Sequence, residues 1–151
     1  MKRDSKLSGV LHAILHMAEA KTPLTSEQLA VHMDANPVMI RRIMAGLREA
    51  GFVTSSKGHG GGWVLARPLA EISLRDVYDA IGAPLPFAIG HRNESPFCLV
   101  EQAVNSALDE AFQEAEAILI ACLGAVTLAQ LFEDFHRRLA ARKEDKTHVS
   151  L

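Results

Sequence analysis

Three guanidinium groups lie close together in the first third of the chain: Arg41, Arg42 and Arg48. If Ile40, Ile43, Met44 and Leu47 form the buried stripe of a helix at i, i+3, i+4 and i+7, the opposite face carries Val38, Arg42, Ala45 and Glu49. Met39, Arg41 and Arg48 flank that face. An arginine placed this way can read a guanine edge or hold a phosphate, and Val38 and Met39 can touch thymine methyls. Upstream, Thr25 and Ser26 stand at a helix start whose free N–H groups suit a backbone phosphate. Downstream, Lys57-Gly58-His59-Gly60-Gly61-Gly62 offers a cation and an imidazole among glycines. Such a loop tip can approach a minor groove or a phosphate closely.

Other reactive residues are few. His12 and His16 are spaced i, i+4, a legitimate two-ligand metal spacing, but they fall opposite the apolar stripe of their helix with no third ligand evident. They read as an exposed polar face, and no metal is expected. Cys98 and Cys122 are too few for a disulfide scaffold or a four-thiolate metal site. With Ser95 as N-cap and Pro96 first in the helix, the Cys98 thiol would sit in the first turn. There the positive helix end favours a thiolate, with His91 and Arg92 nearby. Two readings stand: a redox sensor, or an inert, half-buried cysteine. The glycine run does not precede a helix, and no strand-to-helix nucleophile elbow is present, so no enzyme is expected.

The elements that must position these groups are legible in outline. Leu7, Val10, Leu11, Ile14, Leu15 and Ala18 recur at helical spacing. Thr25 and Gln28 form a capping box ahead of a short helix. Asn36 with Pro37 opens the arginine-bearing helix, which stops at Gly51. Phe52-Val53-Thr54 and Trp63-Val64-Leu65 bracket the glycine loop as a hairpin. Ser73 caps a fourth helix that ends at Gly82. A long helix from Pro96 to about Leu123 carries Val100, Val104, Leu108, Ala111, Phe112, Ala115, Ile118, Leu119 and Cys122 as its stripe. Thr127 with Gln130 starts a last helix.

The hydrophobic fraction of 48% and charged fraction of 23% fit one globular domain. Residues 1–67 hold nine Lys/Arg against five acids, and the remainder seven against thirteen, so a basic front half is carried on an acidic back half. No apolar run is long enough for a membrane span. The basic, apolar start superficially resembles a signal peptide, but His12 and His16 interrupt it, so the expected location is the cytoplasm.

Several of these stretches together resemble a family. Thr-Ser-Glu-Gln-Leu-Ala, Asn-Pro-Val-Met-Ile-Arg-Arg-Ile-Met, Leu-Arg-Glu-Ala-Gly-Phe-Val, Lys-Gly-His-Gly-Gly-Gly-Trp-Val-Leu-Ala-Arg-Pro and Glu-Ile-Ser-Leu-Arg-Asp-Val are similar to the bacterial IscR/CymR-type transcription regulators. The resemblance is close over residues 7–82 and looser beyond Cys98. It implies a dimeric regulator, most often a repressor, reading a palindromic operator with helix and wing. Lys57 stands where the family usually has Arg, and Trp63 where it usually has Tyr. Some members hold an iron–sulfur cluster on three clustered cysteines; here that region offers Cys98 alone, so no cofactor is expected.

The expected architecture is mainly α. A winged helix-turn-helix domain (1–82) with a two-stranded wing leads through a linker (83–95) to dimerisation helices (96–142) and a flexible tail (143–151). The expected DNA contacts are Thr25, Ser26, Val38, Met39, Arg41, Arg42, Arg48, Lys57, Gly58 and His59. The expected dimer contacts are Val104, Ala107, Ala111, Ala115 and Leu119. The expected partners are double-stranded DNA and a second copy of the chain, with no membrane and an effector that the sequence does not name. The alternative is a winged-helix scaffold that docks protein without specific DNA binding.

Overall fold

The computed structural model describes residues 5–87 and 97–148. The elements run α1 (Lys6–Glu19), α2 (Ser26–Met33), α3 (Pro37–Glu49), β1 (Val53–Ser56), β2 (Gly62–Leu65), a 3-10 turn at Leu69–Glu71, α4 (Leu74–Ala80), α5 (Leu99–Gly124) and α6 (Leu128–His148). The strands pair antiparallel with Val53 opposite Leu65 and Ser56 opposite Gly62. The chain is therefore mainly helical with a two-stranded wing, as expected.

The helix starts form where side chains can satisfy their free N–H groups. Thr25 Oγ1 accepts from the Gln28 N–H while Gln28 Oε1 accepts from the Thr25 N–H. Asn36 Oδ1 accepts from the Met39 N–H, with Pro37 in the position where it loses nothing. Ser73 and Asp76 form a second box, and donation from the Ser73 hydroxyl, then from its backbone N–H, holds the Asp76 carboxyl below its usual range.

One core serves α1 to α4, β1 and the first turn of α6. Ile40, Ile43, Met44 and Leu47 of α3 are all buried, against Val10, Ala13, Ile14 and Met17 of α1, Leu29 of α2 and Val77 of α4. The buried stripe of α1 differs from the expected one: Ala13 and Met17 replace Leu15 and Ala18, while Leu7 and Leu11 pack at its margin. Both sets satisfy helical spacing, so only the shape of the neighbouring helices selects between them.

The back half departs from expectation in three places. First, α5 begins at Leu99 with Cys98 as N-cap; the proposed Ser95 cap and Pro96 start lie outside the described residues. Second, α6 continues to His148, through residues expected to form a tail. Third, α6 is stitched into the front unit rather than separate from it. The Leu74 N–H donates to the Val126 carbonyl, the Leu128 N–H donates to the Ile72 carbonyl, and Leu128 is fully buried in the winged-domain core.

Where α3 crosses α4 the backbones nearly touch. A Cβ on Gly46 would sit 2.5 Å from the Ala80 carbonyl oxygen. Gly46→Ala should therefore destabilise the fold by about 1–3 kcal/mol through overpacking, read as a lower midpoint in urea unfolding. An unchanged midpoint would show that α4 yields at no cost.

Candidate nucleic-acid interface

Burial of one face of α3 turns the other into solvent. Val38 and Met39 are 56% and 48% exposed in its first turn, and Arg41, Arg42 and Arg48 are exposed along it. Apolar side chains left in water at the start of a basic helix are the chemistry a major groove accepts. Arg42 borders a shallow recess with Lys6, Met39 and Ile81. Lys6 is anchored there, its Nζ donating to the Ile81 carbonyl at 2.9 Å.

Two of the arginines are already engaged. Arg41 donates to Glu27 Oε1 at 2.9 Å, joining α3 to α2. The Glu27 carboxyl is held below its usual range by backbone hydrogen bonding at the helix start and by Arg41. Arg48 lies over the Trp63 ring at 5.9 Å, joining α3 to β2. Arg41 and Arg48 are thus oriented by neighbours before any ligand arrives, while Arg42 projects from the face between them.

The wing tip carries Lys57, Gly58 and His59, all exposed. Its glycines are structural requirements. Gly62 has φ +153, and a Cβ there would lie 2.7 Å from the Leu24 carbonyl oxygen. That close approach lets Leu24 and Trp63 exchange backbone hydrogen bonds of 3.1 and 2.8 Å, laying the segment before α2 alongside β2.

Ser26 is placed differently from the expectation of a phosphate contact. It is buried, and its hydroxyl accepts from the Trp63 indole N–H at 3.0 Å. Thr25 is half-buried with its oxygen occupied by the Gln28 N–H. Sequence reasoning missed Trp63 as the hub of this site. Its only signals were a lone indole beside a glycine run and a second hydroxyl next to the capping box.

The residues expected to make dimer contacts are on one side of α5: Val104, Ala107 and Ala111 are exposed, and Ala115 and Leu119 are half-buried. Cys98 is exposed at the N-cap, one position short of the first turn in which it was expected. His91 and Arg92, expected beside it, lie outside the described residues. The histidines also differ from expectation. His32 of α2 stacks on His16 with centroids 3.8 Å apart, so His16 is half-buried rather than part of a bare polar face.

A helix-turn-helix with an exposed basic recognition face and a glycine-tipped wing tied to it defines a winged-helix DNA-binding protein. The Rrf2 model, described as an iron-dependent transcriptional regulator, matches residues 3–134, and the chain belongs to that family. It is 33% identical over 113 residues to the HTH-type regulator YwnA of Bacillus subtilis, covering 75% of this chain and 84% of that protein. A transcriptional regulator from Lactobacillus plantarum superposes with a TM-score of 0.73 at 27% identity, covering 95% of this chain and 99% of that one. T. potens IscR shares the fold, with a TM-score of 0.64 at 20% identity over 89% of this chain and 88% of that one. The protein is a DNA-binding transcriptional regulator, not an enzyme.

The iron in the family description can be tested against the donors present. Cys98 and Cys122 stand at opposite ends of α5, about 36 Å apart by helical rise, so one chain cannot bring both thiolates to one cluster. Among the described residues no three His, Cys, Asp or Glu side chains are arranged to hold a metal ion. His16 and His32 lie nearly parallel, at 13°, so their in-plane lone pairs do not converge. Among the described residues of one chain, this donor set does not fit a resident iron group.

Trp63→Phe keeps an aromatic ring, though a smaller one, but deletes the indole donor and leaves the buried Ser26 hydroxyl without it. The expected cost is about 0.5–1.5 kcal/mol in denaturant unfolding, with weaker DNA binding as the wing loses its register on α2. Equal stability and affinity in the two proteins would remove Trp63 as the hub.

Proposed function

We propose that the protein is a homodimeric repressor that reads a palindromic operator with α3 and the wing, and that it works without an iron–sulfur cluster. One observation carries the reading: α5 runs for 26 residues without fully burying any side chain. Its stripe leaves Val100, Val104 and Ile118 74%, 52% and 60% exposed, with alanines between them. Small residues permit close helix approach, and the same stripe on a second copy would cover it under two-fold symmetry. Two recognition helices then face DNA about one helical turn apart, or a multiple of it, which matches a palindrome. A dimer lying across a promoter excludes polymerase from it.

In this reading Arg42 meets a base edge. Lys57 and His59 meet phosphate or the minor groove, and Arg41 and Arg48 hold the backbone on either side. The exposed Cys98 thiol favours a second layer of control. Its thiolate would attack a hydroperoxide oxygen and become a sulfenic acid as the remaining oxygen leaves as water or alcohol. A Cys98→Ser protein that still releases DNA on peroxide treatment would remove that layer.

Binding should weaken log-linearly with salt, as a phosphate-contacting protein requires. Arg42→Ala should cost about 1–3 kcal/mol in operator affinity and relax preference at one operator position; uniform weakening would move Arg42 to phosphate. Ala111→Glu should yield monomers by light scattering and abolish palindrome binding, because a carboxylate between close helices finds no partner. A variant that stays dimeric and binds normally would place the interface elsewhere.

A further inference from the structure

Three imidazoles meet where α1 packs on α2, away from the recognition face. His12 and His16, one turn apart, bring their Nε2 atoms to 2.8 Å. His32 stacks on His16 with centroids 3.8 Å apart and lies 6.2 Å from His12. At the end of the same helix Glu19 pairs with His136 of α6 at 2.7 Å. The cluster thus touches α2, which carries half of the helix-turn-helix, and α1 is linked to α6 beside it through Glu19 and His136.

This arrangement accepts few protons. An Nε2 pair at 2.8 Å is a hydrogen bond only if one nitrogen donates and the other accepts, so the two rings cannot both be protonated in that geometry. A face-to-face stack of two imidazolium rings is likewise repulsive. We propose that the His12–His16–His32 cluster is a proton-responsive latch, which holds α1 against α2 when it is neutral or singly protonated and opens on acidification, weakening DNA binding.

The electrostatics agree with that geometry. Partial burial first, then His32 and His12, push the His16 imidazole below its ordinary value, with Glu19 acting the other way. β2 carries no titratable side chain, and no charge on α4 acts on His16; among the described residues, α6 meets the α1 end of the cluster as His136, paired with Glu19. Because the folded state prefers neutral His16, its contribution to stability is complete above the unfolded value near 6.5. It is lost as pH falls through the lower folded value.

The sign separates this latch from ordinary polyelectrolyte behaviour. Acidification adds positive charge to a DNA-binding protein and by itself strengthens binding. The experiment uses the full chain and a labelled palindromic duplex selected by the protein from a random pool at pH 7.5. Between pH 7.5 and 5.5, the wild type should lose about tenfold in affinity and melt at lower temperature, whereas His32→Gln should do neither. Histidine NMR titration should place His16 below 6.5 in the wild type and closer to it in the variant. His12→Gln, altered at an exposed ring, supplies the same comparison if His32→Gln folds poorly. Parallel pH profiles in wild type and variants, or tighter wild-type binding at pH 5.5, would overturn the latch. Melting and NMR decide it even if the operator assignment fails.

Discussion

The burial of Ile40, Ile43, Met44 and Leu47 fixes the rotation of α3 about its own axis, and with it which side chains are left in water. A helix cannot bury one face without presenting the other. Once those four enter the core, Val38, Met39 and Arg42 must point outward and Arg41 and Arg48 must flank them. The Asn36 cap and Pro37 set where the helix begins, and Gly51, at φ +80, allows the turn into β1. The proposed DNA-reading surface is thus a by-product of core packing, made up of the residues that packing excludes.

A recognition helix alone does not define an interface; the wing must be held at a set distance from it. That is the work of Trp63. Its backbone is bonded to Leu24, its indole N–H to Ser26, and its ring lies beneath Arg48. The loop before α2, the start of α2, the end of α3 and β2 therefore converge on one side chain. Because Ser26 is buried, its hydroxyl has no water to replace the indole if the wing swings away.

The back half is coupled to this unit at one end and loose at the other. The caps of α4 and α6, Ser73 and Thr127, pair as an isolated antiparallel bridge, and Leu128 enters the core beside them. From that anchor α5 runs back against α4, where burial first, and then Glu116, push the Tyr78 hydroxyl above its ordinary pKa. At its far end Leu99, Val100 and Val104 are exposed. Apolar surface of this kind is costly in water, and it sits on a helix rooted in the winged-helix core, so a second copy covering it, as proposed, would also set the spacing of two recognition helices.

The sequence by itself determined the local chemistry. The capping pairs Thr25–Gln28 and Thr127–Gln130, the Asn36-Pro37 start, the α3 stripe and the glycine hairpin depend on interactions within a few residues, and local geometry is written in adjacent side chains. Tertiary structure alone decided what depends on partners distant in the chain. It chose Ala13 and Met17 over Leu15 and Ala18, because periodicity allows either stripe and only the facing helices discriminate. It turned Ser26 inward to a tryptophan 37 positions away, and brought His32 onto His16 across a helix–helix contact. It also carried Leu128 into the front core, a contact that no helical period within α6 announces.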